Sequence, residues 1–180
     1  MSKILVAISN GFEEIEAVSI IDICRRAGIE VITAGVEGKN LVGAHNIKIE
    51  MDKKITEVDS SDFDMIVLPG GLPNAFTLAE DKDVQRLLKE FKEKNKKIAA
   101  ICAAPYALHK AGVLNENYTC YPSFEKKIKD DGYRDDKNVV TDNNVITSRG
   151  PATAVDFALE IVKTLKGDDI YFQVKTGLLA

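Results

Sequence analysis

Short apolar runs alternate with stretches of helical periodicity along nearly the whole chain, each bounded by turn-forming residues. That pattern predicts α/β: a mostly parallel sheet covered by helices on both faces. Ile4 to Ser9 reads as the first strand, Glu14 to Ala27 as a helix ended by Gly28, and Glu30 to Ala34 as the second strand, with Gly35 and Gly38 opening a turn. Ile47 to Met51 reads as a short excursion strand, and Asp64 to Leu68 as a buried strand stopped by Pro69-Gly70-Gly71. Val84, Leu87, Leu88 and Phe91 share one face of a helix over Asp83 to Lys94, which feeds the run Lys96 to Ile101 and then Cys102. The charged stretch Glu125 to Lys137 predicts a surface excursion. After it, Val139 to Thr141 and Val145 to Thr147 flank Asp142-Asn143-Asn144 as a hairpin, and Ala152 to Leu165 is a closing helix. No repeat or linker divides the chain, so one domain over 1–180 is expected.

Composition narrows the function classes. The 180 residues carry a formal net charge of −4 with acidic and basic side chains interleaved, which leaves no basic stripe for nucleic acid and no polybasic patch for membranes. Met1-Ser2-Lys3 runs straight into a strand, without the n-region and h-region of a signal peptide, and no apolar run is long enough to span a bilayer; a cytoplasmic protein is expected. The 3 cysteines are widely spaced and form neither a disulfide framework nor the paired spacing of a zinc site. A Walker loop, G-x-G-x-x-G and H-E-x-x-H are all missing, so neither cofactor nor metal is expected.

Lys96-Lys97-Ile98-Ala99-Ala100-Ile101-Cys102-Ala103-Ala104-Pro105 has the form of a nucleophile elbow, a buried strand turning sharply into a helix. Ligand sites of open α/β sheets lie outside such carboxyl ends. The small Ala100, Ala103 and Ala104 leave room around the sulfur, Pro105 suits a first helical turn, and a helix start favours thiolate. A structural cysteine acting as a small buried hydrophobe fits the same residues. Cys24 falls on an apolar helix face and Cys120 has no acid, base or helix start beside it, so neither is a candidate.

Gly11-Phe12-Glu13-Glu14-Ile15-Glu16 follows the first strand, at the same sheet edge. Glu13 and Glu14 complement a helix N-terminus. Glu16 shares a stripe with Ile20, Ile23 and Ala27 that holds its carboxyl against apolar surface, raising its pKa and letting a protonated acid donate to a thiolate. Gly70 and Gly71 end a neighbouring strand, where their N–H groups are suited to an oxyanion. His45, in a turn after Gly43, and His109, beyond the elbow, read as solvated, which leaves a Cys-His-Asp hydrolase without support.

Taken in order, Gly11 to Glu16, Arg25-Arg26-Ala27-Gly28, Val67 to Gly71, Ala99 to Pro105 and Thr147-Ser148-Arg149-Gly150-Pro151-Ala152-Thr153 resemble the motifs of the DJ-1/PfpI (ThiJ) superfamily, most closely its DJ-1 branch. The resemblance implies a flavodoxin-like three-layer sandwich of the class I glutamine amidotransferase type, usually a homodimer. It implies Cys102 as an oxidation-prone nucleophile and Glu16 as its protonated partner, in a pocket shaped by Gly70, Gly71, Ala103, Tyr121 and Arg149. The activity implied is a cofactor-independent glyoxalase or deglycase on small carbonyls such as methylglyoxal; the alternative is a redox-sensing stress protein or chaperone whose Cys102 goes to sulfinate without turnover. Two positions depart from the wider superfamily. Tyr121 stands where many members carry histidine, and a phenol donates a hydrogen bond but is a poor base near neutral pH. Ala103 stands where the protease-like branch carries histidine, which argues against peptidase activity.

Overall fold

The computed structural model describes residues 1–180. β1 (Lys3–Ile8), α1 (Glu14–Arg26) and β2 (Glu30–Gly35) form the first crossover; β3 (Asn40–Val42) and β4 (Lys48–Glu50) then pair as a separate antiparallel ribbon. The chain continues through β5 (Lys53–Lys54), β6 (Met65–Leu68), α2 (Asn74–Glu80), α3 (Lys82–Glu93), β7 (Lys97–Ile101), α4 (Pro105–Lys110) and α5 (Glu125–Ile128). It ends with β8 (Val139–Asp142), β9 (Val145–Ser148), α6 (Ala154–Lys166) and α7 (Asp168–Gly177). Seven strands make one sheet in the order β5-β2-β1-β6-β7-β9-β8, parallel throughout except for β8 against β9.

The apolar runs are continuous because both faces of the sheet are covered. Along β1, Ile4, Val6 and Ile8 enter a core with Ile20 and Ile23 of α1 and Phe157 and Ile161 of α6, whereas Leu5 and Ala7 enter a second core with Leu87, Leu88 and Phe91 of α3. Cys24 is buried in the first core, and burial pushes its thiol up to about 12. No helix is long and apolar enough to cross a membrane.

Four local expectations change. The excursion strand at Ile47 to Met51 is real but shorter, and Asn40–Val42 is its unforeseen partner. A helix, α2, follows the Gly70-Gly71 turn at once. The closing helix begins at Ala154, after a 3-10 turn at Pro151–Thr153, and α7 packs beyond it. The 125–137 excursion contains a short helix, α5, and is tied back by a lone bridge between Tyr118 and Tyr133.

Candidate functional site

Strand order makes the crevice. The chain leaves β1 toward β2 on one side of the sheet, and the neighbouring β6 leads to β7 on the other, so the carboxyl ends of β1 and β6 part where a ligand fits. The first turn of α1 reaches into this opening from β1, the Gly70-Gly71 turn from β6 and Cys102 from β7.

Cys102 has φ +66°, a left-handed conformation that costs a non-glycine residue on the order of 1 kcal/mol. The surroundings hold it there: its N–H donates to Ser148 O (2.9 Å) and its carbonyl accepts from Tyr121 N (2.9 Å). The reversal turns the side chain back to the core that Ile101 also enters, and Cys102 is only 8% exposed.

Glu16 has no exposed surface, and its stripe mates Ile20, Ile23 and Ala27 are buried with it. Its Oε2 accepts from Gly70 N at 2.7 Å, while Oε1 is shut off from water with no well-aligned partner. Glycine is obligatory at 70: a Cβ there would lie 2.5 Å from Cys102 Cβ and 2.7 Å from Glu16 Oε2. Gly71 adopts φ +94° with Glu13 N and Gly11 O against it, leaving no room for a side chain.

Burial dominates the electrostatics. It raises the Glu16 carboxyl to about 7, against the Gly70 amide and the Cys102 thiol, which favour its charged form, and with some help from the Glu13 charge. Burial, and then the charge of an ionised Glu16, push the Cys102 thiol upward as well; the amides of Gly71 and Ala103 pull the other way. The expected helix-start activation is thus outweighed, since α4 is a helix of only 6 residues and the thiol is buried. What relieves Cys102 is a proton on Glu16, which removes the repulsion and supplies a donor.

The other named residues fall into two groups. The Gly70 amide is committed to Glu16, so the amides left facing the sulfur are those of Gly71 and Ala103. Tyr121 is 48% exposed and lines a shallow cavity with Arg149, Gly150 and Pro151, next to the backbone partners of Cys102; the Arg149 guanidinium donates to Asp135 O (3.0 Å) and has no carboxylate partner. Cys120 is buried and its thiol is pushed up to about 12 by burial. His109 is exposed at the end of α4. His45 is exposed as well, but not merely solvated: its amide donates to Glu14 Oε1 (2.6 Å) and its Nδ1 lies 2.8 Å from Glu14 Oε2. Glu13, Glu14 and His45 bring ligand-type atoms within 4.8 Å of one another, but both Glu14 oxygens are already engaged by His45. No sequence signal linked positions 14 and 45.

A strained cysteine at a strand end, an acid buried beside it and a glycine turn between the two define a flavodoxin-like protein with a nucleophile elbow. Sequence comparison gives the family: the model of the DJ-1/PfpI family matches residues 2–164, and the chain belongs to that family. It is 43% identical to protein dj-1beta of Drosophila melanogaster, covering 99% of this chain and 98% of that one. A second relative, the glutathione-independent glyoxalase DJR-1.2 of Caenorhabditis elegans, is 39% identical over 87% of this chain and 84% of its own. The crystal structure of Drosophila DJ-1beta superposes with a TM-score of 0.95 at 42% identity, covering 100% of this chain and 99% of that one; oxidized Toxoplasma gondii DJ-1 gives 0.95 at 36%, covering 99% and 98%.

Proposed function

We propose that this protein is a cofactor-independent enzyme converting small 2-oxoaldehydes such as methylglyoxal to 2-hydroxy acids, with Cys102 as nucleophile and Glu16 as the proton carrier. The observation that carries this reading is a buried carboxyl poised near pH 7 beside a thiol, since a group that both takes and returns a proton works best near the ambient pH. The name of the Caenorhabditis elegans relative supports it. The Cys102 thiolate attacks the aldehyde carbon: an S–C bond forms and the proton held by Glu16 passes to the oxygen, giving a hemithioacetal and leaving Glu16 ionised. Ionised Glu16 removes the C1 proton as the C2 oxygen is protonated, giving the enediol; Glu16 then returns its proton to C2 as the C1 hydroxyl gives up its own, so the hydroxyl proton passes in net from the C1 oxygen to the C2 oxygen. C1 is oxidised as C2 is reduced, so the step balances without an external oxidant. The product is a thioester; water cleaves it to the 2-hydroxy acid and restores the thiol. The amides of Gly71 and Ala103 stabilise the negative oxygen or sulfur, and Tyr121 and Arg149 line the approach.

A second reading has one observation behind it, the relative solved as an oxidized form: peroxide takes the Cys102 thiolate through sulfenic to sulfinic acid, two oxygens from two peroxides, with no turnover. Lactate formation from methylglyoxal, compared for the natural protein, Cys102→Ser and Glu16→Gln, separates the two. The expected result is turnover lost in both variants. Absence of lactate from the natural protein, with selective addition of two oxygens to Cys102 by intact mass, overturns the enzyme reading in favour of the sensor.

We further propose a homodimer. Val18 and Ile21 of α1 line one cavity with Ile49, and Ile49 lines the next with Leu41 and Val42; the exposed Val18 and Val42 lie on this face among charged neighbours of both signs, Arg25, Lys48 and Glu50, a mixed surface that suits a second copy of the chain.

A further inference from the structure

The Gly70-Gly71 turn carries one amide for each of the two reactive side chains, Gly70 N for Glu16 and Gly71 N for Cys102, yet glycines have little to hold their own peptide planes. Asn74, the first residue of α2, supplies a hold. It has no exposed surface, and every polar atom of its side chain is spent on backbone. Nδ2 donates to Pro69 O (2.8 Å) and to Gly70 O (2.9 Å), and Oδ1 accepts from Ser9 N (2.8 Å) at the end of β1.

In a trans peptide the C=O and the following N–H lie in one plane and point in opposite directions within it. Fixing Pro69 O therefore aims Gly70 N, which meets Glu16 Oε2 at 2.7 Å. Fixing Gly70 O, which also accepts from Glu13 N (2.9 Å), aims Gly71 N, one of the two amides that favour the Cys102 thiolate. A single NH2 group orients two successive peptides, one toward the acid and one toward the sulfur. Only a short carboxamide does this: aspartate has no donor, leucine has neither donor nor acceptor, and glutamine is one carbon too long.

We infer that Asn74 is a positioning residue of the site, a clamp on the Pro69-Gly70-Gly71 backbone that sets the donors seen by Glu16 and Cys102. The inference rests on the catalytic pairing proposed above only where turnover is the readout; the reactivity of the thiol reads it independently.

Two neutral variants test it, Asn74→Leu, of similar size without donors, and Asn74→Ser, smaller and able to reach one carbonyl. The rate of Cys102 alkylation by iodoacetamide is followed by intact mass from pH 5 to 10, beside kcat and KM for methylglyoxal and thermal unfolding. The clamp predicts that the pH profile moves upward, that alkylation at pH 7 falls about tenfold for Leu and less for Ser, and that kcat falls with it while KM stays within about twofold. A folded variant, either one, with the natural alkylation profile overturns the clamp, and Asn74→Ser decides alone if Asn74→Leu does not fold. If the natural protein forms no lactate but the alkylation profiles shift, the clamp stands and the enzyme reading falls. If lactate forms and neither variant differs, the clamp alone falls.

Discussion

Glu14 and Glu16 lie two residues apart in the first turn of α1, both with almost no exposed surface, and the molecule drives them in opposite directions. Two helical steps turn a side chain about 200°, so one carboxyl faces the ribbon and the other the crevice. Burial works to raise both. At Glu14 the ring and amide of His45 outweigh it, and the carboxyl stays ionised below the usual range; at Glu16 burial prevails and the carboxyl rises to about 7. Position at a helix N-terminus does not decide protonation; the balance between donors and burial does.

The largest expected effect breaks the pair at Glu16. Its pKa is raised from 4.5 in the unfolded chain to about 7 in the fold, so its stabilisation is fully present below pH 4.5 and is lost as pH rises through 7. The shift corresponds to on the order of 3 kcal/mol. Glu16→Gln copies the protonated acid and removes this titration. Urea unfolding across pH 4.5 to 8 is expected to show the variant gaining on the natural protein by that order as pH rises; parallel curves would show that Glu16 titrates normally.

Glu14→Gln should give the opposite sign with a smaller size. A carboxyl whose folded pKa is lowered stabilises above the unfolded value of 4.5, and that contribution disappears as pH falls through the folded pKa. Glutamine keeps one acceptor for the His45 amide but loses the charge, which at pH 7 costs about 1–2 kcal/mol. The same urea series should show this deficit shrinking as pH falls below 4.5 and through the lowered folded pKa. A deficit that grows in acid would put Glu14 in the class of Glu16.

This contrast also separates what the sequence makes legible from what it hides. Continuous apolar strand runs and apolar helix faces mark the sheet, α1, α3 and the elbow, because those elements are buried along much of their length. Glu16 is visible through its own stripe, Ile20, Ile23 and Ala27. α2 is 7 residues long and starts directly after a Pro-Gly-Gly turn, and α7 buries Val174 alone, so periodicity has little to read in either. Asn74 is hidden for another reason: its partners are main-chain atoms, one of them 65 positions away. Any residue type can offer those atoms. The pairing of Glu14 with His45 spans 31 positions and depends on where the β3–β4 ribbon folds back, which no local pattern sets. Tyr121 and Arg149 stand out only through family resemblance.

The smallest effect falls on His45, and it sharpens the comparison because it isolates the ring from the amide. His45→Ala keeps the backbone N–H on Glu14 Oε1 and removes only the imidazole at 2.8 Å from Oε2. The Glu14 carboxylate, by hydrogen bond and then by charge, raises the histidine pKa above 6.5. A raised base stabilises fully below its unfolded pKa and loses that contribution as pH rises through the folded one, so the variant's melting temperature should fall short at pH 6 and approach the natural value by pH 9. The ring is exposed, so added salt should shrink the gap at pH 6. If the gap is the same at both pH values, the imidazole acts by packing alone. Glu14 would then owe its low pKa to the His45 amide, and the difference between the two carboxyls would reduce to how many backbone donors each one finds.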